Sequence, residues 1–516
     1  MKTIYFLFAI VLSGLWISCY DDKGNYDYSI LNQAEVTGID SIYRCDLLSH
    51  LVITPKLNSQ DKSRTYDYMW LCYKNTKDGI DTLSCEKDLD YELTLDPAIY
   101  TLVFAYQDRE TAVTKYVFSK LVVESEYSRG WYVLKEKNGY TDLDFFSSTF
   151  EAADLMDKVH GQPLVGRPRG MGLIEDYNWF NEESGELEQW NMCLSLLTEQ
   201  DLKVMRISDL KLLGEFNSLF YEQPATCVPE KWFGWDGANA LINDGRIYTI
   251  NIRVGTLGSA KFAYEKTGDY HLSNIMTKKS QLCPLLFDEK VGMFCTVTEN
   301  GADIIYLESD SQSKFPDAYP DYNLIYAGLL DEGGLWDPGK GYAVMEHKTD
   351  KSRMVLHFDL LCLDKDWGGD DAFKNRIIEQ DKIVSTSNLS SATCFGMNRI
   401  SKMLYFSKED KLYYYDLENK REFEVKRLNG ETAVPAGEHI VMIKHVVFNC
   451  SYPEEAIEEY LSKLAVATSD GTDYKIYLFD IVSDKLQTEP TVFAGNGIPA
   501  EIIYMSSYMG NAYWCY

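Results

Sequence analysis

Positive charge is scarce in this chain. It has 50 Lys and Arg against 79 Asp and Glu over 516 residues, a net charge of −29. No basic patch interrupts that balance, which argues against nucleic acid as a partner, because phosphate binding needs clustered cations. After residue 18 no segment is apolar enough to span a bilayer. The 12 cysteines contain no CxxC pair and scatter from Cys19 to Cys515. An odd, dispersed set left after Cys19 is assigned otherwise reads as buried free thiols, with local bridges such as Cys72 with Cys85 or Cys283 with Cys295 as the alternative. No ligand pair has the spacing of a zinc site, so no metal and no cofactor is expected. HExxH, GxSxG and GxGxxG are absent. The seven histidines are too dispersed for a triad to be argued, so no catalytic residue is assigned.

Two motifs come close to known chemistry and then depart from it. Gly334 to Lys340 has phosphate-loop spacing, but Gly341 stands where Ser or Thr is needed and the following residues read as a strand. Asp364 to Asp371 places four acids and two glycines in eight residues, yet lacks the bidentate Glu of a calcium loop and reads as a solvated acidic loop.

What is present begins with the leader. Lys2 precedes an apolar run from Ile4 to Leu12, then Ser13, Gly14 and a short stretch to Cys19. The run is shorter than the ~20 residues of a permanent membrane helix, and Tyr20, Asp21 and Asp22 follow it directly, so residues 1–18 read as a cleaved signal peptide. Leu15-Trp16-Ile17-Ser18-Cys19 resembles a bacterial lipobox, with Trp16 in place of the usual Leu or Val. That resemblance implies lipidation of Cys19, and the acidic pair Asp21 and Asp22 resembles the signal for display on the outer leaflet in glycan- and peptide-foraging Gram-negative bacteria. Residues 19–30 are then an acidic tether of up to roughly 35 Å.

From residue 31 to 125 the chain reads as short alternating strands, including Leu51-Val52-Ile53, Tyr66 to Tyr73 and Tyr100 to Tyr106. Their number, with Trp70 as a core residue of a central strand, predicts a small immunoglobulin-type β-sandwich. Cys19 to Tyr28, Tyr66-Asp67-Tyr68-Met69-Trp70, and Leu95 to Asp108 resemble the PKD-like lipoprotein family. The resemblance covers the N-terminal quarter and brings no catalytic residues. It implies an accessory role beside outer-membrane nutrient importers of the starch-utilisation type.

From residue 128 to 516 seven hairpins recur. They run from Trp131 to Phe145, Met192 to Ile207, Ala240 to Ile252, Met293 to Leu307, Tyr342 to Phe358, Leu404 to Leu417 and Leu464 to Ile481. Asn138-Gly139, Asp244-Gly245, Asn300-Gly301 and Asp470-Gly471 supply turn chemistry. Starts about 45 to 60 residues apart approach the size of a four-stranded blade, so an all-β fold ending in a β-propeller of about seven blades is expected, with paired large β-sandwiches as the competing architecture. The tail from Ile502 to Tyr516 would complete the first blade beside Trp131. The one helical stretch expected is Pro453 to Leu461, capped by Ser451.

Aromatics in Gly- and Pro-containing segments are the candidate ligand contacts: Trp179, Trp232, Trp235, Trp336 and Trp367. A flat ring beside acids and amides suits a sugar face or a peptide side chain. The expected function is a lipid-anchored outer-membrane surface protein, held by its lipid alone. It binds an oligosaccharide or oligopeptide, or an importer component, without catalysis. A propeller glycosidase or lyase with paired carboxylates in a central funnel, and a purely structural subunit, are the alternatives.

Overall fold

A computed structural model describes residues 34–516 except 60, 75–78, 96, 183–184, 236–237, 252–260, 280–282, 299–302, 332–338, 364, 453–456 and 507–516. The chain forms two compact units. One comprises residues up to Asp40, Leu51–Tyr91 and Leu102–Ser119; the other comprises Ser41–His50, Glu92–Thr101 and everything from Lys120 onward. Described residues are overwhelmingly in strands, and among them no helix is long and apolar enough to cross a membrane.

Near the N-terminus the strands Ile42–Asp46, Thr114–Glu124, Ala98–Asp108, Tyr66–Tyr73 and Asp81–Ser84 form a five-stranded sheet in that order. In the smaller unit Trp70 is fully buried, as its place in an alternating strand predicts. Its ring centroid lies 4.7 Å from that of Phe104, and its indole N–H donates to the Lys87 carbonyl at 3.1 Å. Burying the indole without that acceptor would leave a costly unpaired donor.

Among the described residues the larger unit contains seven antiparallel sheets of three or more strands in chain order, besides a two-stranded pair of Ile481–Val482 with Lys485–Leu486. Sheet I holds Gly130–Lys137, Tyr140–Phe146, Glu151–Ala152 and Leu164–Val165, joined by Ile498–Met505 from the end of the chain. Sheet II holds Pro168–Asn181, Glu186–Thr198, Leu202–Arg206 and Leu212–Glu215; sheet III holds Pro229–Trp235, Ala238–Asn243 and Arg246–Asn251. Sheet IV holds Leu286–Asp288, Met293–Val297 and Ile304–Tyr306, and sheet V holds Tyr322–Leu330, Lys340–His347, Arg353–Asp359 and Ile377–Lys382. Sheet VI holds Phe395–Met397, Met403–Lys408, Lys411–Asp416 and Arg421–Glu424; sheet VII holds Ile440–Tyr452, Ile457–Ser469, Asp473–Phe479 and Thr491–Asn496. All seven expected hairpins are strand pairs of these sheets, the central pair in sheets I, II, V, VI and VII and a pair that includes an edge strand in the three-stranded sheets III and IV. Two of their turns place both residues at positive φ, Asn138 and Gly139 at 55° and 81° and Asp244 and Gly245 at 52° and 68°, as a two-residue hairpin turn requires.

Strand alternation explains why these hairpins are apolar on both faces. Val344 packs toward sheet VI while Met345 packs toward sheet IV. Tyr405 packs toward sheet VII, and its neighbours Leu404 and Phe406 pack toward sheet V. Successive side chains point to opposite faces, so a strand covered by a neighbouring sheet on each side must be apolar throughout. Each consecutive pair of sheets shares such a core, and the series returns on itself: Ala465 and Ile476 of sheet VII pack with Trp131 and Val133 of sheet I. Ile498–Met505 pairs with Gly130–Lys137 in antiparallel register, Ile502 opposite Val133 and Tyr504 opposite Trp131. The expected tail pairing is therefore present as far as Met505, and residues 507–516 lie outside the described residues.

A buried ionic group crosses the same junction. Lys135 and Asp144 are both fully buried; the Lys135 ammonium lies 2.6 Å from an Asp144 oxygen and donates to Asn496 Oδ1 at 2.9 Å. Asp144 also accepts from the Tyr474 hydroxyl of sheet VII at 2.6 Å. Burial, then the Asp144 charge, drives the Tyr474 phenol far above its ordinary range.

One expectation is corrected. The helix over Pro453 to Leu461 is not formed, because Ile457–Ser469 is a strand pairing Tyr460 with Asn449 and Leu461 with Phe448. Residues 453–456 lie outside the described residues. Pairing along a long hairpin outweighs the helix preference of a Glu-rich run, which is worth only tenths of a kcal/mol per residue. Among the described residues the α-helices are Leu155–His160 and Lys365–Gly368, neither anticipated. The ten described cysteines are free thiols, including Cys72, Cys85, Cys283 and Cys295, so neither suggested bridge is formed.

Candidate functional site

The five candidate tryptophans do not share one environment. Trp232 is 1% exposed, with its indole N–H donating to Asn239 Oδ1 at 2.7 Å and its ring 4.8 Å from Phe262. It belongs to the core between sheets II and III and offers no free ring face. Gly234 and Gly237 suggest a turn that exposes the rings of Trp232 and Trp235, but Pro229–Trp235 is a strand through Gly234, and residues 236–237 lie outside the described residues. A Cβ at Gly234 would come within 2.9 Å of the Asn239 side chain, so the glycine serves close approach, not a turn. Trp179 is half-buried on Pro168–Asn181, against the same core, with the Lys211 ammonium 4.4 Å over its ring. Trp235 ends its strand opposite Ala238, and Trp367 lies in the short helix Lys365–Gly368. Trp336 lies outside the described residues, as do Cys19, Asp21 and Asp22. In the acidic loop near Trp367, an Asp371 oxygen is 2.6 Å from Arg376, so one of its four acids is an ion-pair partner.

Two charged groups that sequence reasoning missed are better defined. The first lies on the leading strands of the sheets and their ends. Lys279 is 3% exposed and sits 2.5 Å from Asp331, which also faces Arg399 at 3.9 Å. The Arg399 backbone N–H donates to His445 Nδ1 at 2.9 Å, and His445 Nε2 is 3.0 Å from Ser462 Oγ. Lys444 pairs with Glu501 at 2.6 Å. Burial lowers the Lys231 ammonium, Glu501 opposes that shift and Lys444 adds to it. Lys278 is fully buried and donates to the Gly234 carbonyl. Lys279 and Arg399 thus meet at Asp331, and Lys231 and Lys444 at Glu501. The adjacent Lys278-Lys279 pair was the available signal.

The second group lies on the last two strands of sheet V. His357 faces Glu379 across the strand pair, and Asp381 follows two residues on, on the same face. His357 Nδ1 is 3.3 Å from Glu379, and Nε2 is 3.2 Å from Asp381 Oδ2. Lys420, from sheet VI, lies 2.9 Å from Glu379 and 2.6 Å from Asp381. Burial raises the Asp381 carboxyl, but His357 and Lys420 together outweigh it and hold the group below its ordinary range. The His357 ring meets Tyr342 edge to face at 4.6 Å. The i, i+2 acids in Ile377-Ile378-Glu379-Gln380-Asp381 were legible; their histidine is distant in sequence.

Comparison with known proteins bears on the N-terminal part. Residues 19–168 match the model of the PKD-like family. No curated protein matches the chain. Among solved structures, a quinoprotein alcohol dehydrogenase-like protein from Bacteroides thetaiotaomicron is similar at 12% identity and TM-score 0.36, covering 93% of this chain and all of that one. A DUF4784 family protein from Bacteroides caccae shows 8% identity and TM-score 0.31, over 77% and 96% of the two chains. PorZ, a surface component of the type-IX secretion system of Porphyromonas gingivalis, shows 9% identity and TM-score 0.32, over 71% and 45%.

Proposed function

We propose that this chain is a lipid-anchored surface protein of the outer membrane that binds a nutrient ligand without transforming it. The observation that carries the reading is that the PKD-like match begins at residue 19, the cysteine that ends the lipobox-like segment. Cleavage before Cys19 leaves that segment at the start of the mature chain, with Asp21 and Asp22 as the export signal. The PKD-like part acts as a spacer beside an importer of the starch-utilisation type. The seven sheets of the larger unit act as blades of a β-propeller. Consecutive outward strand order, the return of the core from sheet VII to sheet I, and the donation of Ile498–Met505 to sheet I support this reading.

In a propeller the leading strands line the central axis, so Lys231, Arg399 and Lys444 belong to the binding end. Trp179, Trp235, Trp336 and Trp367 are the proposed ring contacts, and Trp232 is a packing residue.

Two experiments test the proposal. Cys19→Ser should remain unacylated and leave the outer-membrane fraction on washing with high salt; retention would defeat the anchor. Calorimetric titration of acidic and neutral glycans and peptides should show weak binding, reduced several-fold in Trp235→Ala and in Lys444→Gln. Product released from the same mixtures would establish the glycosidase or lyase reading, and no binding of any class would favour a structural subunit.

A further inference from the structure

From the group at the end of sheet V we infer that His357, Glu379 and Asp381 form a binding site for a divalent transition-metal ion, separate from the cations of the leading strands. One imidazole nitrogen and one oxygen from each carboxylate lie within 4.8 Å of one another. A tetrahedral zinc ion with bonds of about 2.0 to 2.2 Å holds its ligand atoms roughly 3.3 to 3.5 Å apart. Nε2 and the Asp381 oxygen, 3.2 Å apart, already have that spacing, and the half-exposed Glu379, now 3.3 Å from the other ring nitrogen, has to turn toward Nε2 to join them. Three such ligands leave a fourth position open, the arrangement of sites that accept water or a further ligand.

The independent observation is the state of the buried atoms. His357 is 5% exposed, and its Nε2 is buried without a hydrogen bond, 3.2 Å from Asp381 Oδ2, whose counter-charge is the Lys420 ammonium at 2.6 Å. A buried polar atom in the condition of Nε2 is costly. A metal ion between the two would satisfy Nε2 and take over the role of the lysine at Oδ2. The Tyr342 ring packed on His357 restricts how the imidazole can turn. Lys420 is the competitor: its ammonium neutralises the two carboxylates in the ion-free protein, and its partly exposed side chain can withdraw to solvent. Binding is thus an exchange of one cation for another, which predicts modest affinity in the natural chain and tighter binding once the lysine charge is removed.

The test uses the mature chain titrated with zinc against a chromophoric chelator, and with cobalt(II) followed by its visible absorption. The wild type should bind one ion at this site and melt higher with zinc than with EDTA. Lys420→Met should bind roughly tenfold more tightly, because a unit charge 2.6 to 2.9 Å from the ligand oxygens is gone. Glu379→Gln should weaken binding, and His357→Gln should abolish the cobalt band. Glu379 is half exposed, so its variant should fold even if the histidine variant does not. Absence of binding in the wild type overturns the inference, as does binding by Lys420→Met alone, which would make Lys420 the resident cation. An affinity unchanged by Glu379→Gln and His357→Gln overturns it too, by placing the ion elsewhere, for instance at the exposed Cys85.

Discussion

His445 shows how burial and one backbone hydrogen bond decide the charge of a single side chain. Its Nδ1 accepts from the Arg399 N–H, so that nitrogen must be unprotonated, and Nε2 then donates toward Ser462. Burial, with the Arg399 charge second, depresses the imidazole to about 3. The unfolded chain takes up the proton near pH 6.5, so between that value and about 3 the unfolded state binds more protons than the folded one. Stability contributed by neutral His445 is complete above pH 6.5 and is lost as pH falls, at up to about 1.4 kcal/mol per pH unit. Urea unfolding of His445→Gln at pH 7, 5.5 and 4.5 should give a shallower decline than the wild type. Equal slopes would mean that this histidine protonates in the folded chain. At the same scale, Trp70 was legible in the sequence because an alternating strand names its buried face. Trp232 was not, because a glycine needed for close approach looks identical in sequence to one needed for a turn.

At the scale of elements, hairpins were legible and their partners were not. A two-residue turn with Asn-Gly or Asp-Gly between apolar runs is a local event, governed by the φ values its residues tolerate. The strand that replaced the expected helix at Ile457–Ser469 depends on residues 440–452 and on packing that no local window contains. Ile498–Met505 is the element on which the junction of sheets I and VII depends, with Ile502 and Met505 fully buried. Each side chain contributes roughly 1.5 to 3 kcal/mol by burial alone, and removing the strand also bares the edge of Gly130–Lys137. A chain ending at Gly497 should melt several degrees lower than the full mature chain and be cleaved faster by protease. An unchanged melting transition would show that the strand closes nothing.

At the scale of the whole molecule, the described residues are held by packed sheets, with no disulfide among them. The ten described cysteines are free, and several are deep in the core; burial raises the Cys72 thiol to about 12. A thiol that resists ionisation is a poor nucleophile, so these residues behave as small apolar side chains. Melting of the purified protein with and without dithiothreitol should therefore give the same midpoint. A fall of several degrees would reveal bridges, since losing one disulfide typically costs about 2 to 5 kcal/mol.

The sequence by itself determined that the chain is all-β, where its seven hairpins lie, that Asn138-Gly139 and Asp244-Gly245 turn two of them, and that Trp70 is a core residue. These follow from period-two alternation and turn chemistry, which act over a few residues. Only the tertiary structure decided that sheet VII packs on sheet I, that Lys135 and Asp144 share a buried site with Tyr474, and that His357, Glu379, Asp381 and Lys420 meet. Those contacts join residues up to hundreds of positions apart, Lys135 and Asn496 by 361. Their formation depends on which apolar face each sheet covers, and a linear pattern specifies that a face will be buried without specifying against what.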